Sequence, residues 1–185
     1  MKTTVVIPNY NGKHFLQDCL DSLLQSTVEI AVIVVDNGST DGSVSWIQEH
    51  FPQVKLICFS ENKGFCTAVN TGIEAAATPY VFLLNNDTKT DRFCLERLER
   101  AMEADEKIFS VGAKMLSMKE PELVDTAGDL YSAFGWAYAI GKGRLSSNYT
   151  APKRVFSNCA GAALYRKAHL EQIGGFDELH FAYLE

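Results

Sequence analysis

The chain has 185 residues, 46% of them hydrophobic and 22% charged, with a formal net charge of -6. That composition is ordinary for one soluble globular domain, and the acidic balance argues against a nucleic-acid binder that works by neutralising phosphates. No stretch approaches the roughly 18 apolar residues of a membrane span, and the apolar start at Val5 meets Pro8 too soon for a secretory leader. Five scattered cysteines (Cys19, Cys58, Cys66, Cys94 and Cys159) read as buried thiols of a reducing compartment, not as a disulfide frame or a zinc site.

In chain order, residues 3–7 form a β-branched run that ends at Pro8, and predict a first strand. Asn9-Tyr10-Asn11-Gly12 is a loop, and Phe15, Leu16, Cys19, Leu20, Leu23 and Leu24 repeat at helical spacing after it. Residues 29–35 predict a second strand running into Asp36-Asn37-Gly38-Ser39, and Ser43 is placed to cap a short helix carrying Val44 and Ile47. Residues 54–59 predict a third strand, followed by Glu61-Asn62-Lys63-Gly64 and a helix marked by Phe65, Val69, Ile73 and Ala76. Tyr80-Val81-Phe82-Leu83-Leu84 predicts a fourth strand, buried on both faces. Thr90 is then placed to cap a helix with Leu95, Leu98 and Met102 inward and a Glu96–Arg100 pair outward.

From about Phe109 the pattern changes. Residues 110–118 read as strand, and residues 128–143, rich in Gly, Ala and aromatics, read as edge hairpins rather than a mobile segment. Residues 155–165 read as a further strand, and residues 166–173 as a short helix stopped by Gly174-Gly175. The fold class is therefore α/β, with a mostly parallel central sheet flanked by helices. One domain is expected, residues 1–107 binding the ligand and residues 108–185 forming a second half.

Four β-then-α units with right-handed crossovers put every loop after a strand on one edge of the sheet. In open α/β sheets that edge is where ligands bind. It collects Pro8-Asn9-Tyr10-Asn11, Asp36-Asn37, Glu61-Asn62-Lys63-Gly64 and Asn85-Asn86-Asp87. The last cluster is oxygen-rich and suits Mg²⁺ or Mn²⁺ bridging to a diphosphate. The same residues also suit the turn that ends a strand. Asp36 is placed to accept hydrogen bonds from a base or ribose, or is a turn residue. Asp36, Glu61 and Asp87 on one rim repel each other, by about 4 kcal/mol for a pair roughly 4 Å apart at an effective dielectric near 20. A divalent cation relieves that repulsion. The G-x-G-x-x-G of dinucleotide enzymes, the P-loop and the G-x-S-x-G elbow are absent from the sequence.

Five stretches, in this order, resemble the motifs of family 2 glycosyltransferases of the GT-A fold. They are Val5-Val6-Ile7-Pro8-Asn9-Tyr10-Asn11-Gly12, Val34-Val35-Asp36-Asn37-Gly38-Ser39, Asn62-Lys63-Gly64-Phe65, Asn70-Thr71-Gly72 and Leu83-Leu84-Asn85-Asn86-Asp87-Thr88. Gly174-Gly175-Phe176-Asp177-Glu178 and Tyr183-Leu184-Glu185 are similar to the later signature of the bacterial rhamnosyltransferase-like branch.

The resemblance implies inverting transfer of a sugar from a nucleotide-diphosphate-sugar to a saccharide or lipid-linked saccharide, in surface polysaccharide synthesis. It implies that Pro8, Asn9, Tyr10 and Asp36 hold the nucleotide, and that Asn62, Lys63, Gly64 and Asn86 line the donor pocket. Asp87 and Asn85 stand where the family binds Mg²⁺ or Mn²⁺, with Asn85 in place of its first Asp. The family's general base follows the position of Glu185, so the acceptor side is expected to be incomplete, with Glu185 the nearest substitute. A cytoplasmic place is implied, with the inner face of the plasma membrane also open. Two other classes stand beside this one: a non-catalytic nucleotide-sugar-binding module and a sugar-nucleotidyltransferase. The latter would want a Gly-rich, Arg-containing loop after the first strand.

Overall fold

The computed structural model describes residues 1–181. Four strands run parallel: β1 (Thr3–Asn9), β2 (Ile30–Asp36), β3 (Lys55–Cys58) and β4 (Tyr80–Leu84). They alternate with α1 (Lys13–Leu24), α2 (Ser43–His50), α3 (Phe65–Ala75) and α4 (Cys94–Glu103). β5 (Ser110–Gly112) follows. The chain then leaves the sheet for two small antiparallel pairs, β6 (Met115–Leu116) with β7 (Val124–Thr126) and β8 (Asp129–Tyr131) with β9 (Ala137–Ala139). It returns as β10 (Ala162–Arg166) and ends in α5 (Lys167–Ile173). The main sheet has the order β3-β2-β1-β4-β10-β5, and β10 is antiparallel to both its neighbours.

The continuous apolar runs follow from burial on both faces. Side chains alternate along a strand. Val5 and Ile7 therefore face one layer, with Leu16, Leu20 and Leu23 of α1, Ile47 of α2, and Leu95 and Met102 of α4. Val6 faces the other, with Ile33, Val35, Val81, Leu83, and Ala68, Val69 and Ile73 of α3. All five residues of β4 are buried, and each fully buried Leu or Phe among them contributes about 1.5–3 kcal/mol.

Several local expectations change. Ser43 is the first residue of α2 and not its cap; the cap position is Gly42, at φ 83°, while the Ser43 hydroxyl bonds back to Asp41. Thr90 does not cap α4, which starts at Cys94 with Phe93 before it. The Thr90 N–H instead donates to Ser22 Oγ at 3.0 Å, tying this loop to α1. Residues 110–118 split into β5 and β6, because Ala113 N–H goes to the Ala162 carbonyl and the chain then turns away. Only Ala162 onward of the expected 155–165 strand pairs with the sheet, while Ser157 bridges to Asp129, the first residue of β8. The hairpin expected in residues 128–143 is present as β8 and β9. Of the thiols, Cys19 and Cys66 are buried, but Cys58 and Cys159 are exposed.

Gly72 shows how closely α3 sits on the sheet. A Cβ there would stand 2.2 Å from Val6 Cγ1 and 3.3 Å from Val35 Cγ2. Gly72→Ala should therefore lower stability by about 1–3 kcal/mol from overpacking, despite the roughly 1 kcal/mol that Ala gains over Gly in helix propensity. Urea denaturation of the two proteins measures it, and a more stable variant would contradict the close contact.

Candidate functional site

The parallel register sets Asn9, the last residue of β1, directly beside Asp36, the last of β2. Both are 1% exposed. Asn9 Nδ2 donates to Asp36 Oδ2 at 2.8 Å and to Ser39 Oγ at 3.3 Å. Asn9 Oδ1 accepts from Asn86 Nδ2 at 2.7 Å. Asp36 Oδ1 takes the Ser39 N–H at 2.9 Å. One side chain thus joins the loops after β1, β2 and β4.

The loop after β3 is joined by Asn37, also buried. Its Nδ2 donates to the Gly64 carbonyl at 2.9 Å and its Oδ1 accepts the Lys63 N–H at 2.8 Å. Asn62 Oδ1 accepts from the Gly64 N–H at 2.9 Å within the same loop. Gly38 makes the approach possible: at φ +77°, a Cβ there would lie 2.7 Å from the Glu61 backbone. Further out, Asn11 takes a left-handed φ of 50° and accepts the Thr40 N–H at 2.8 Å. Asp41 accepts the Lys13 N–H at 2.9 Å and the Ser43 N–H at 3.0 Å. Partial burial pushes the Asp41 carboxyl up, but hydrogen bonds from the Ser43 hydroxyl and from the Lys13 and Ser43 amides outweigh it and hold it below its ordinary value.

Above this locked layer lie the groups left to solvent. Tyr10 is 51% exposed, Lys63 and Asp87 are exposed, and Pro8, Asn62, Asn85 and Asn86 are half-buried. Lys63 Nζ rests 5.0 Å from the centre of the Phe59 ring. Asp36, read from the sequence as a partner for a base or ribose, lies beneath the rim with both oxygens bonded internally. The backbone of Asn85 is held by the Gly161 carbonyl and the Thr88 hydroxyl. Under this loop the Cys19 thiol is pushed up to about 12, by burial first and by the Asp87 charge, so it is no thiolate nucleophile near neutrality.

Among the described residues no three His, Cys, Asp or Glu side chains cluster as a metal cage. One exposed carboxylate beside two amides does fit a cation shared with a ligand's phosphates, the usual arrangement for Mg²⁺. A recess of about 430 Å³ lined by Asn11, Lys13, His14, Gln17, Asp41 and Trp46 lies between α1 and α2. It includes none of Asp36, Lys63 or Asp87, so the rim chemistry is not centred there. Glu185 lies outside the described residues. One set of contacts had no counterpart in the sequence reading: Asn70 on α3 holds the backbone of Phe176. Both stretches were visible as motifs, but nothing in their spacing said that they meet.

A four-stranded parallel half extended by an antiparallel strand, with a polar rim at its carboxyl edge, is an α/β architecture that solved glycosyltransferases share. The structure of Staphylococcus aureus TarS residues 1–349 aligns with a TM-score of 0.71 at 18% identity, over 99% of this chain and 52% of that one. The mannosyltransferase PcManGT from Pyrobaculum calidifontis, in complex with GDP-Man and Mn²⁺, aligns with a TM-score of 0.66 at 20% identity, over 96% of this chain and 48% of that one. The family model for glycosyl transferase family 2 matches residues 4–174, and the chain belongs to that family. An N-acetylglucosaminyl-diphospho-decaprenol L-rhamnosyltransferase of Mycobacterium tuberculosis is 25% identical over 207 aligned positions, covering 98% of this chain and 66% of that protein. Against other curated relatives the chain spans between 14% and 40% of their length.

Two outcomes follow from the rim's geometry. Asn9→Ala strands the Asp36 carboxylate and the Asn86 amide, and should cost about 1–3 kcal/mol in urea unfolding; an unchanged midpoint would remove Asn9 from its place as the clamp. Asp41, held below its ordinary value, stabilises the fold above the unfolded pKa and loses that effect as pH falls through the folded one. Asp41→Asn should therefore be about 1 kcal/mol less stable than wild type at neutral pH, a modest figure for an exposed group. The gap should narrow as pH falls below about 4, as read by denaturant titrations across that range.

Proposed function

We propose that this chain binds a nucleotide-diphosphate-sugar at the carboxyl edge of its sheet and transfers the sugar to a hydroxyl acceptor, with inversion. One observation carries the reading. The rim's buried polar groups are all satisfied inside the protein, while the Asp87 carboxylate at its lip has no hydrogen bond or ion pair among the described residues. A pre-shaped rim whose two exposed carboxylates, Asp87 and Glu61, are both unpaired among the described residues suits a charged ligand that brings its own cation.

In this reading Pro8, Asn9, Tyr10 and Asp36 form the nucleotide end. The exposed Tyr10 ring offers a face on which a base stacks, and Asp36 acts from beneath by fixing Asn9 and Ser39. Asn62, Lys63, Gly64 and Asn86 line the donor pocket, with the Lys63 ammonium drawn toward the diphosphate. Asp87, with Asn85 beside it, holds Mg²⁺ or Mn²⁺ together with the donor phosphates. Such a cation supplies Lewis-acid stabilisation of the leaving diphosphate. A carboxylate base takes the acceptor's proton as its oxygen attacks the anomeric carbon from the face opposite the diphosphate. Glu185 is the base candidate of this chain.

The donor class is supported by the solved relative holding GDP-Man and Mn²⁺. The acceptor we propose is a saccharide or lipid-linked saccharide of the cell envelope, supported by the name of the mycobacterial relative. Among the described residues no helix is long and apolar enough to cross a membrane. We place the protein in the cytoplasm or at the inner face of the plasma membrane, a reading supported by the envelope-polymer name of a teichoic acid polymerase among the relatives.

Calorimetry with UDP and GDP, in Mn²⁺ and in EDTA, tests the reading. Binding should need the cation, and a hundredfold excess of nucleotide over Kd should raise stability by about 2.7 kcal/mol. Asp87→Ala should reduce affinity in Mn²⁺ to the level seen in EDTA. Equal affinities for wild type in both conditions would rule out the role given to Asp87.

A further inference from the structure

The segment after α5 is folded back against α3 instead of leaving the sheet. Gly174 and Gly175 take φ of 85° and 78° and make the turn. Asn70, on α3, meets the returning chain with three hydrogen bonds. The Phe176 N–H donates to Asn70 Oδ1 at 2.9 Å. Asn70 Nδ2 donates to the Phe176 carbonyl at 2.8 Å and to Glu178 Oε1 at 3.0 Å. Thr67, one turn earlier on the same helix, donates its hydroxyl to Glu178 Oε2 at 3.2 Å. Gly175 gives Asn70 room, since a Cβ there would stand 2.7 Å from Asn70 Oδ1.

The strap then reaches the start of α3. The Phe65 N–H, a first-turn donor with no partner inside the helix, donates to the Phe181 carbonyl at 2.7 Å. Gly64 lies directly underneath, where a Cβ would be 2.8 Å from that same oxygen. Little apolar burial helps to hold the strap: Leu179 is 92% exposed and Phe181 60%, although Phe176 packs on the second core layer. Polar contacts therefore carry much of its attachment, and Asn70 supplies most of them. Its amide pairs with the N–H and the carbonyl of one residue, as a neighbouring strand would.

We propose that Asn70 is a positioning residue for the donor loop. It fixes residues 175–181 across the start of α3, and the strap in turn holds residues 62–64 in the form that lines the donor pocket. This inference rests on the donor reading of the rim. It assigns Asn70 no contact with the ligand.

The test combines amide hydrogen exchange at Phe65 and Phe176 with calorimetry of UDP or GDP in Mn²⁺, whichever wild type binds more tightly. Asn70→Asp keeps the acceptor for Phe176 N–H, but sets a second carboxylate beside Glu178. Exchange should speed up at both amides, and affinity should fall roughly three- to tenfold, the loss of about one net hydrogen bond. Glu178→Gln in the same chain should recover part of both losses, which a general weakening of the fold would not do. Thr67→Val, which deletes a single bond, should move both readouts the same way by less, and serves if Asn70→Asp does not fold. Protected amides in Asn70→Asp would overturn the hold on the strap. Freed amides with unchanged affinity would overturn its effect on the donor loop. Wild type binding neither nucleotide would instead bring down the donor reading, and this inference with it.

Discussion

Asn9 ends the central strand where water does not reach, so each of its polar atoms has to find a protein partner. It finds them on the two loops that flank its own, at Asp36 and Ser39 after β2 and at Asn86 after β4. Loops that are independent in the sequence thereby become one layer, and the cost of ordering them falls in folding, before any ligand arrives. The same constraint sorts the rim. Groups consumed in the layer (Asn9, Asp36, Asn37) give shape, whereas groups above it (Tyr10, Lys63, Asp87) face solvent.

The two faces of the sheet do different work. α1, α2 and α4 pack on one side, where Cys19 and Ser22 of α1 reach up to the loop after β4. α3 packs on the other, brought close by the missing side chain of Gly72. Its outer surface carries Asn70 and Thr67, and so receives the chain's return after α5. α3 therefore links the loop after β3, at its start, to the later half of the chain along its length.

The parallel half was legible because β-branched runs and 3.6-residue stripes alternate cleanly through residue 103. The convergence of the loops then followed from topology alone. Which rim residues face solvent was not legible: Asp36 and Asp87 are both acids after a strand, and only packing buries the first. The two helix caps were misplaced because neighbouring acids intervene: Asp41 engages the Ser43 hydroxyl that would have capped α2, and Asp91 takes the N–H of Phe93. Residues 110–165 were read least well. Their strands are two to five residues long, too short for a period to show. The pairing of Asn70 with Phe176 spans 106 residues, and no local pattern predicts a contact at that separation.

β5 and β10 lie side by side, and the Ala113 N–H donates to the Ala162 carbonyl at 2.9 Å. Everything between those two residues is thus a closed excursion whose ends are pinned together at the rim. The sheet meets the excursion at its two ends, where Met115 and Ala160 pack on its core layers, Asn158 bonds Ser110 and Gly161 holds Asn85. Lengthening such a loop carries a small entropic penalty, about 0.6 kcal/mol for each doubling. The outer part of the excursion can therefore vary in length, changing what is presented beside Asn85, while the loops after β1, β2 and β3 keep the geometry that Asn9 and Asn37 give them.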